Sequence, residues 1–120
     1  MAKICYNSRD ELVMLDLNNV ACIQAESNYT HLIYMCGERM MLATGISKIE
    51  EMVAQAFISS GESCPFIRLG RSCMINQQFL QRIDTLKQVV TLGDFKGHHL
   101  TIKVPKKMIR AYKESVQSQF

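Results

Sequence analysis

Phe66-Ile67-Arg68-Leu69-Gly70-Arg71-Ser72-Cys73-Met74-Ile75-Asn76 sets two arginines and a glycine inside what otherwise reads as buried strand. Pro65 opens the stretch, and Phe66 to Leu69 are extended in character. Arg68 and Arg71 stand three apart, a spacing that puts them on opposite faces of an unbroken strand, because strand side chains alternate with period two. Glycine is the residue that accepts a left-handed bend at no steric cost. Gly70 is therefore read as breaking the strand, so that Arg71 swings outward while Cys73, Met74 and Ile75 return to the core. Asn76, at the end of the second apolar run, is read as closing a turn with its own side chain.

Working outward, the preceding residues alternate short β-like runs with turn clusters. Leu12 to Leu15 ends at Asp16-Leu17-Asn18-Asn19, Val20 to Ala25 restarts after it, and Tyr29 to Met35 is rich in β-branched and aromatic side chains. Cys36-Gly37-Glu38 supplies a hairpin turn before Arg39 to Ala43. These runs predict a meander of at least four strands. Ser47-Lys48-Ile49-Glu50 has the form of a capping box, and Ile49, Met52, Val53, Ala56 and Phe57 recur at helical spacing, which predicts one amphipathic helix over residues 47–57. Beyond Asn76, one tight or helical turn precedes paired strands at 79–86 and 89–92. A loop from Gly93 to His99 leads to a last strand at 100–104. Pro105 suits the first turn of a C-terminal helix with Met108, Ile109, Tyr112 and Val116 on its apolar side. Strands, helix, strands, helix is the order of a mainly antiparallel sheet protein, not of a βαβ fold.

The 120 residues are 48% hydrophobic and 21% charged, enough for one domain to bury a core unaided. No apolar run is long enough to span a membrane and no signal-peptide core follows Met1, so a cytoplasmic protein with no membrane partner is expected. Cys5, Cys22, Cys36, Cys64 and Cys73 are odd in number and widely spaced, the pattern of thiols in a reducing compartment. Cys73 beside Arg71 has a reactive reading, through a lowered pKa, and a plainer one as a small core residue.

Charge is unevenly placed. Residues 1–60 carry four lysines and arginines against seven acids, net −3, whereas residues 61–120 carry ten against four, net +6. Such asymmetry is the footprint of a nucleic-acid or acidic-surface contact. No catalytic motif accompanies it: the serine elbow, the P-loop, the zincin helix and the glycine-rich dinucleotide turn are all missing, so no enzyme activity and no cofactor is predicted. His98 and His99 are adjacent and read as solvated loop residues, since neighbouring strand positions cannot share one metal. Arg71 on a bend can donate two hydrogen bonds to a guanine edge or hold a phosphate. Lys103, Lys106 and Lys107 flank the Val104-Pro105 junction, where the helix start adds backbone donors for a phosphate.

Taken in order, these residues resemble the LytTR family of bacterial DNA-binding domains, the output modules of LytR/AgrA/AlgR-type response regulators. Val20-Ala21-Cys22-Ile23-Gln24-Ala25-Glu26-Ser27-Asn28-Tyr29 is similar to that family's I-x-x-I-E-A-E-G-N-Y element, and Phe66 to Asn76 to its F-x-R-x-H-R-S-x-x-V-N element. The resemblance spans roughly residues 10–114 of a single domain. Two departures stand out: Gly70 occupies the family's histidine position, and Lys103-Val104-Pro105-Lys106 replaces a late serine-arginine. The resemblance implies an elongated, mostly β fold of about ten short strands in small stacked sheets, whose loops enter the major groove of double-stranded DNA. By position it implies three contact groups: Thr30, with His31, after the Asn28 turn; Arg71 with Ser72; and Lys106 with Lys103 or Lys107. Arg68 is left as either a phosphate contact or a structural ion pair, and Tyr29 as a packing residue.

The function expected on this basis is a sequence-specific transcriptional regulator bound to direct repeats, two copies side by side. The competing expectation is a protein-interaction or sensory module on the same fold without DNA binding. About ten residues precede the first predicted strand, so an upstream receiver domain or a sensor kinase would act from outside this sequence.

Overall fold

The computed structural model describes residues 1–120, and its architecture follows from the alternation of apolar side chains on three central strands. On β3 (Val20–Glu26), β4 (Tyr29–Tyr34) and β7 (Cys73–Asn76), Ile23, Leu32 and Met74 point to one face while Cys22, Ile33 and Ile75 point to the other. Both sets are buried, so this sheet needs a cover on each side. With β5 (Arg39–Leu42) and β6 (Phe66–Arg68) it forms a five-stranded antiparallel sheet in the order β5-β4-β3-β7-β6.

The first face is covered by α1 (Ile46–Ser60), through Ile49, Val53 and Phe57, and by the hairpin of β1 (Lys3–Asn7) and β2 (Leu12–Asp16), through Ile4 and Leu15. The second face is covered by a three-stranded sheet, β10-β9-β8, and by α2 (Lys106–Gln117). Val90 and Leu92 of β9 (Val89–Gly93), Ile102 of β10 (His99–Lys103), and Ile109 and Tyr112 of α2 fill that second core, while β8 (Leu80–Asp84) flanks it. The molecule measures 45 × 32 × 27 Å, the elongation expected of layers stacked side by side.

Two turns repeat one device. Asp16 and Asn76 each end a strand and accept a hydrogen bond on Oδ1 from the backbone N–H two residues on, at 3.1 and 3.0 Å, opening a single 3-10 turn. Asn76 is fully buried and also donates from Nδ2 to the Val20 carbonyl at 3.0 Å, which ties the β7 turn to the start of β3. The expectation that Asn76 serves its own turn holds, with that cross-strand bond added.

Several sequence expectations change in detail. β1 was not anticipated; its burial is one-sided and short, and only pairing with β2 makes it a strand. The helix over residues 47–57 is longer at both ends, and its capping box does not form. Gly45 caps it without a side-chain bond, because Ile46 is buried in the first core and draws the helix start ahead of Ser47. At the other end Gly61, at φ +74°, donates to Ile58, and Glu62 donates to Phe57 at 3.2 Å, the paired bonds of a left-handed glycine stop. Pro105 caps α2 from outside its first turn, and Tyr29, read as a packing residue with its hydroxyl near the surface, is 45% exposed and stands opposite Glu26 at the end of the sheet.

Candidate nucleic-acid interface

Antiparallel pairing gathers three connections at one end of the five-stranded sheet: the Ser27-Asn28 turn, the Ala43–Gly45 link into α1 and the Leu69–Ser72 loop. The Ala25 N–H donates to the Ser72 carbonyl at 2.8 Å, and the Leu69 N–H donates to the Cys73 carbonyl at 2.8 Å. Both bonds fasten the base of the Leu69–Ser72 loop to its neighbours. Gly70 turns the chain at φ +94°, and an added Cβ there would meet nothing within 4 Å, so the backbone conformation alone asks for glycine.

That turn separates the two arginines. Arg71 and Ser72 are exposed, and the Arg71 guanidinium enters none of the ion pairs or side-chain hydrogen bonds of the protein. Arg68 lies on the opposite strand face, toward α1, where Nη1 meets Glu50 Oε1 at 2.7 Å. Its Nε donates to the Gly70 carbonyl at 2.9 Å and its Nη2 to the Arg71 carbonyl at 2.6 Å. Of the two readings left for Arg68, the structure displays the ion pair.

Thr30 corrects the sequence expectation. It is fully buried, on the same strand face as Leu32, and its Oγ1 donates to the Thr44 carbonyl at 2.6 Å. A hydroxyl engaged beneath the sheet does not reach a groove. His31 takes the other face, in a transverse row with Met41, Gln24 and Cys73. Its ring is 18% exposed, with Nε2 at 3.5 Å from Glu26 Oε2.

Lys103, Lys106 and Lys107 are exposed around the β10–α2 junction. The Val104 N–H donates to the Gln88 carbonyl at 3.0 Å, which docks that junction against the β8–β9 turn. Lys87 thereby joins the group, lining one open pocket with Gln88, Lys103, Val104 and Pro105. Sequence reading placed Lys87 in a hairpin turn and overlooked it; its neighbours come from a strand end sixteen residues away, which no local pattern records.

Leu69 and Val104 share the second core. The far ends of β9 and β10 meet the opposite end of the large sheet, where Asp94 and His98 line a pocket with Asp16, Asn19, Tyr34 and Met35. Burial pushes the Asp94 carboxyl up. Hydrogen bonds from the His98 ring and from the Lys96 and His98 backbone outweigh that and hold it at about 2.

Cys73 is not an activated thiol. Burial raises its pKa to about 11, more than the Arg68 charge lowers it, and burial together with Cys73 raises Cys22 to about 12 against the pull of Arg39. The plainer reading of Cys73 is the one its surroundings support. No group of three or more histidine, cysteine or acidic side chains is placed to hold a metal.

The protein is thus an antiparallel β fold with a glycine-bent loop that carries an exposed arginine and a strand–helix junction flanked by exposed lysines. The comparisons with known proteins make this specific: the LytTr DNA-binding domain family matches residues 10–117, and the chain belongs to that family of DNA-binding transcription regulators. A solved LytTr DNA-binding domain from Bacillus cereus superposes with a TM-score of 0.58 at 13% identity, covering 95% of each chain. That likeness speaks for the fold. No curated protein matches the sequence.

Proposed function

We propose that this domain regulates transcription by recognising a specific promoter sequence through the Leu69–Ser72 loop, with Arg71 as the base-reading group and Ser72 beside it. The observation that carries the reading is the state of Arg71: exposed on a fixed bend, its guanidinium without a partner inside the protein. A guanidinium fork in that position suits the paired acceptors O6 and N7 of guanine. Lys103, Lys106, Lys107 and Lys87 hold phosphates and set the orientation, work that needs charge and not shape. His31 contributes at the edge of the same end. Two copies bind side by side on a direct repeat, and control by phosphorylation comes from a receiver domain or sensor kinase outside these residues.

Selection of bound duplexes from a random pool tests the reading, because it reports binding, sequence preference and repeat spacing together. The expected result is an enriched motif whose guanine preference at one position relaxes in Arg71→Ala, at a cost of about 1–3 kcal/mol. Lys106→Ala is expected to weaken all sequences alike and to shallow the salt dependence by about one charge. Enrichment of nothing, with no retention on random DNA at any salt, would instead favour a protein-interaction module.

A further inference from the structure

We infer that Glu50 and Arg68 form a positioning pair that fixes the path of the Leu69–Ser72 loop and so sets the aim of Arg71, without either residue touching DNA. The inference rests on the DNA-binding reading of that loop.

The geometry is specific. Arg68 uses the three nitrogens of its guanidinium on three different acceptors: Glu50 Oε1 at 2.7 Å, the Gly70 carbonyl at 2.9 Å and the Arg71 carbonyl at 2.6 Å. Two of those acceptors are the backbone of the bend itself, including the residue proposed to read a base. A planar fork bound at three points has no freedom left to rotate, whereas a lysine at the same position could serve only one or two of them as a point charge. Glu50 in turn stands on α1, whose Ile49 and Val53 are buried in the first core, so the loop is braced against a packed helix instead of against solvent. The Arg68 side chain is 25% exposed and that of Glu50 43%, so the bonds are partly shielded from water. Loops that bind in a groove lose affinity when they must be ordered on binding, and bracing removes that loss in advance.

The sign of the charge effect separates this inference from simple electrostatics. Glu50→Ala removes a negative charge from the end proposed to meet DNA, so charge alone predicts tighter binding. The positioning pair predicts the reverse: weaker binding to a duplex recovered by selection, on the order of tenfold. Arg68→Lys, which keeps the charge, is expected to weaken binding similarly while leaving the slope of affinity against salt unchanged. A drop in that slope by about one charge in Arg68→Ala would make Arg68 a phosphate contact and overturn the inference. So would wild-type or tighter affinity in Glu50→Ala.

Amide hydrogen exchange gives a readout independent of DNA. In Glu50→Ala the amides of Ala25 and Leu69, which bond to Ser72 and Cys73 at the base of the loop, are expected to exchange faster while those of Ile23 and Ile75 do not. Unchanged protection at Ala25 and Leu69 would refute the brace even if the domain binds no DNA, and selective loss would support it whatever becomes of the DNA-binding reading. A uniform rise across the sheet would mean general destabilisation and would likewise overturn it.

Discussion

Thr30 shows how a single side chain's parity decides its work. Because Thr30 shares a strand face with Leu32, it lies under the sheet and closes the β5–α1 link through Thr44. Thr30→Val keeps the shape and removes the donor, leaving the Thr44 carbonyl without its side-chain partner. The expected cost is about 1–3 kcal/mol in denaturant unfolding, with affinity for a selected duplex unchanged once the protein is folded. The parity was legible in the run Tyr29 to Met35, since Leu32 must face a core; what hid it was the proximity of Thr30 to a turn. Arg68 and Arg71 were separable from spacing and Gly70 alone, but the choice between phosphate and ion pair for Arg68 needed Glu50, eighteen residues away in sequence. The thiols divide as well. At mildly alkaline pH, iodoacetamide is expected to label exposed Cys5, Cys36 and Cys64 while Cys22 and Cys73 react only on unfolding, as intact-mass and peptide mapping would show. The same burial sets an alkaline limb. Unfolded thiols ionise near 9 and these two hold their protons to about 12 and about 11, so their stabilising contribution is complete below pH 9 and is lost as pH rises through that interval.

Among elements, the joint between β6 and β7 is the most exacting. Gly70 sits at φ +94° in open space, so Gly70→Ala meets no clash and pays only for the backbone. A loss of roughly 1–2 kcal/mol in thermal or denaturant unfolding is expected. A larger loss in DNA affinity than in stability would show that the bend, and not the bulk of the side chain, aims Arg71. The helix α1 was legible because its apolar period runs unbroken from Ile49 to Phe57, whereas its true start was not: the S-x-x-E pattern at Ser47 competes with burial of Ile46, and burial wins. β1 escaped notice for the opposite reason, since five residues with two inward side chains make too short a period to distinguish from a loop. Asn76 was legible because its turn is local, although its bond to Val20 spans the sheet.

At the scale of the whole molecule, two cores share one sheet, and the second is closed by α2. Ile109 is fully buried against β9 and β10 residues, so Ile109→Ala is expected to cost about 2–5 kcal/mol and to loosen the Lys103–Lys107 junction with it. Equilibrium unfolding followed by backbone and side-chain probes would check this. Coincident transitions would show that the two cores melt together, as a shared sheet requires. The strand order and the two-sided burial of the large sheet were only partly legible: each strand could be drawn from its own residues, but which strands neighbour β3 depends on β7, more than forty residues downstream.

A sheet with a core on each face has no spare side. Inserting one residue in the middle of β3 or β4 would exchange the partners of every side chain beyond it, sending Ile23 toward the α2 core or Ile33 toward the α1 core, where the cavities have the wrong shape. A library of single-residue insertions scored for folding should therefore be empty across Ile23–Gln24 and Leu32–Ile33, yet populated at Lys96–Gly97, whose loop meets neither core. Length, more than residue identity, is the property that these central strands hold fixed.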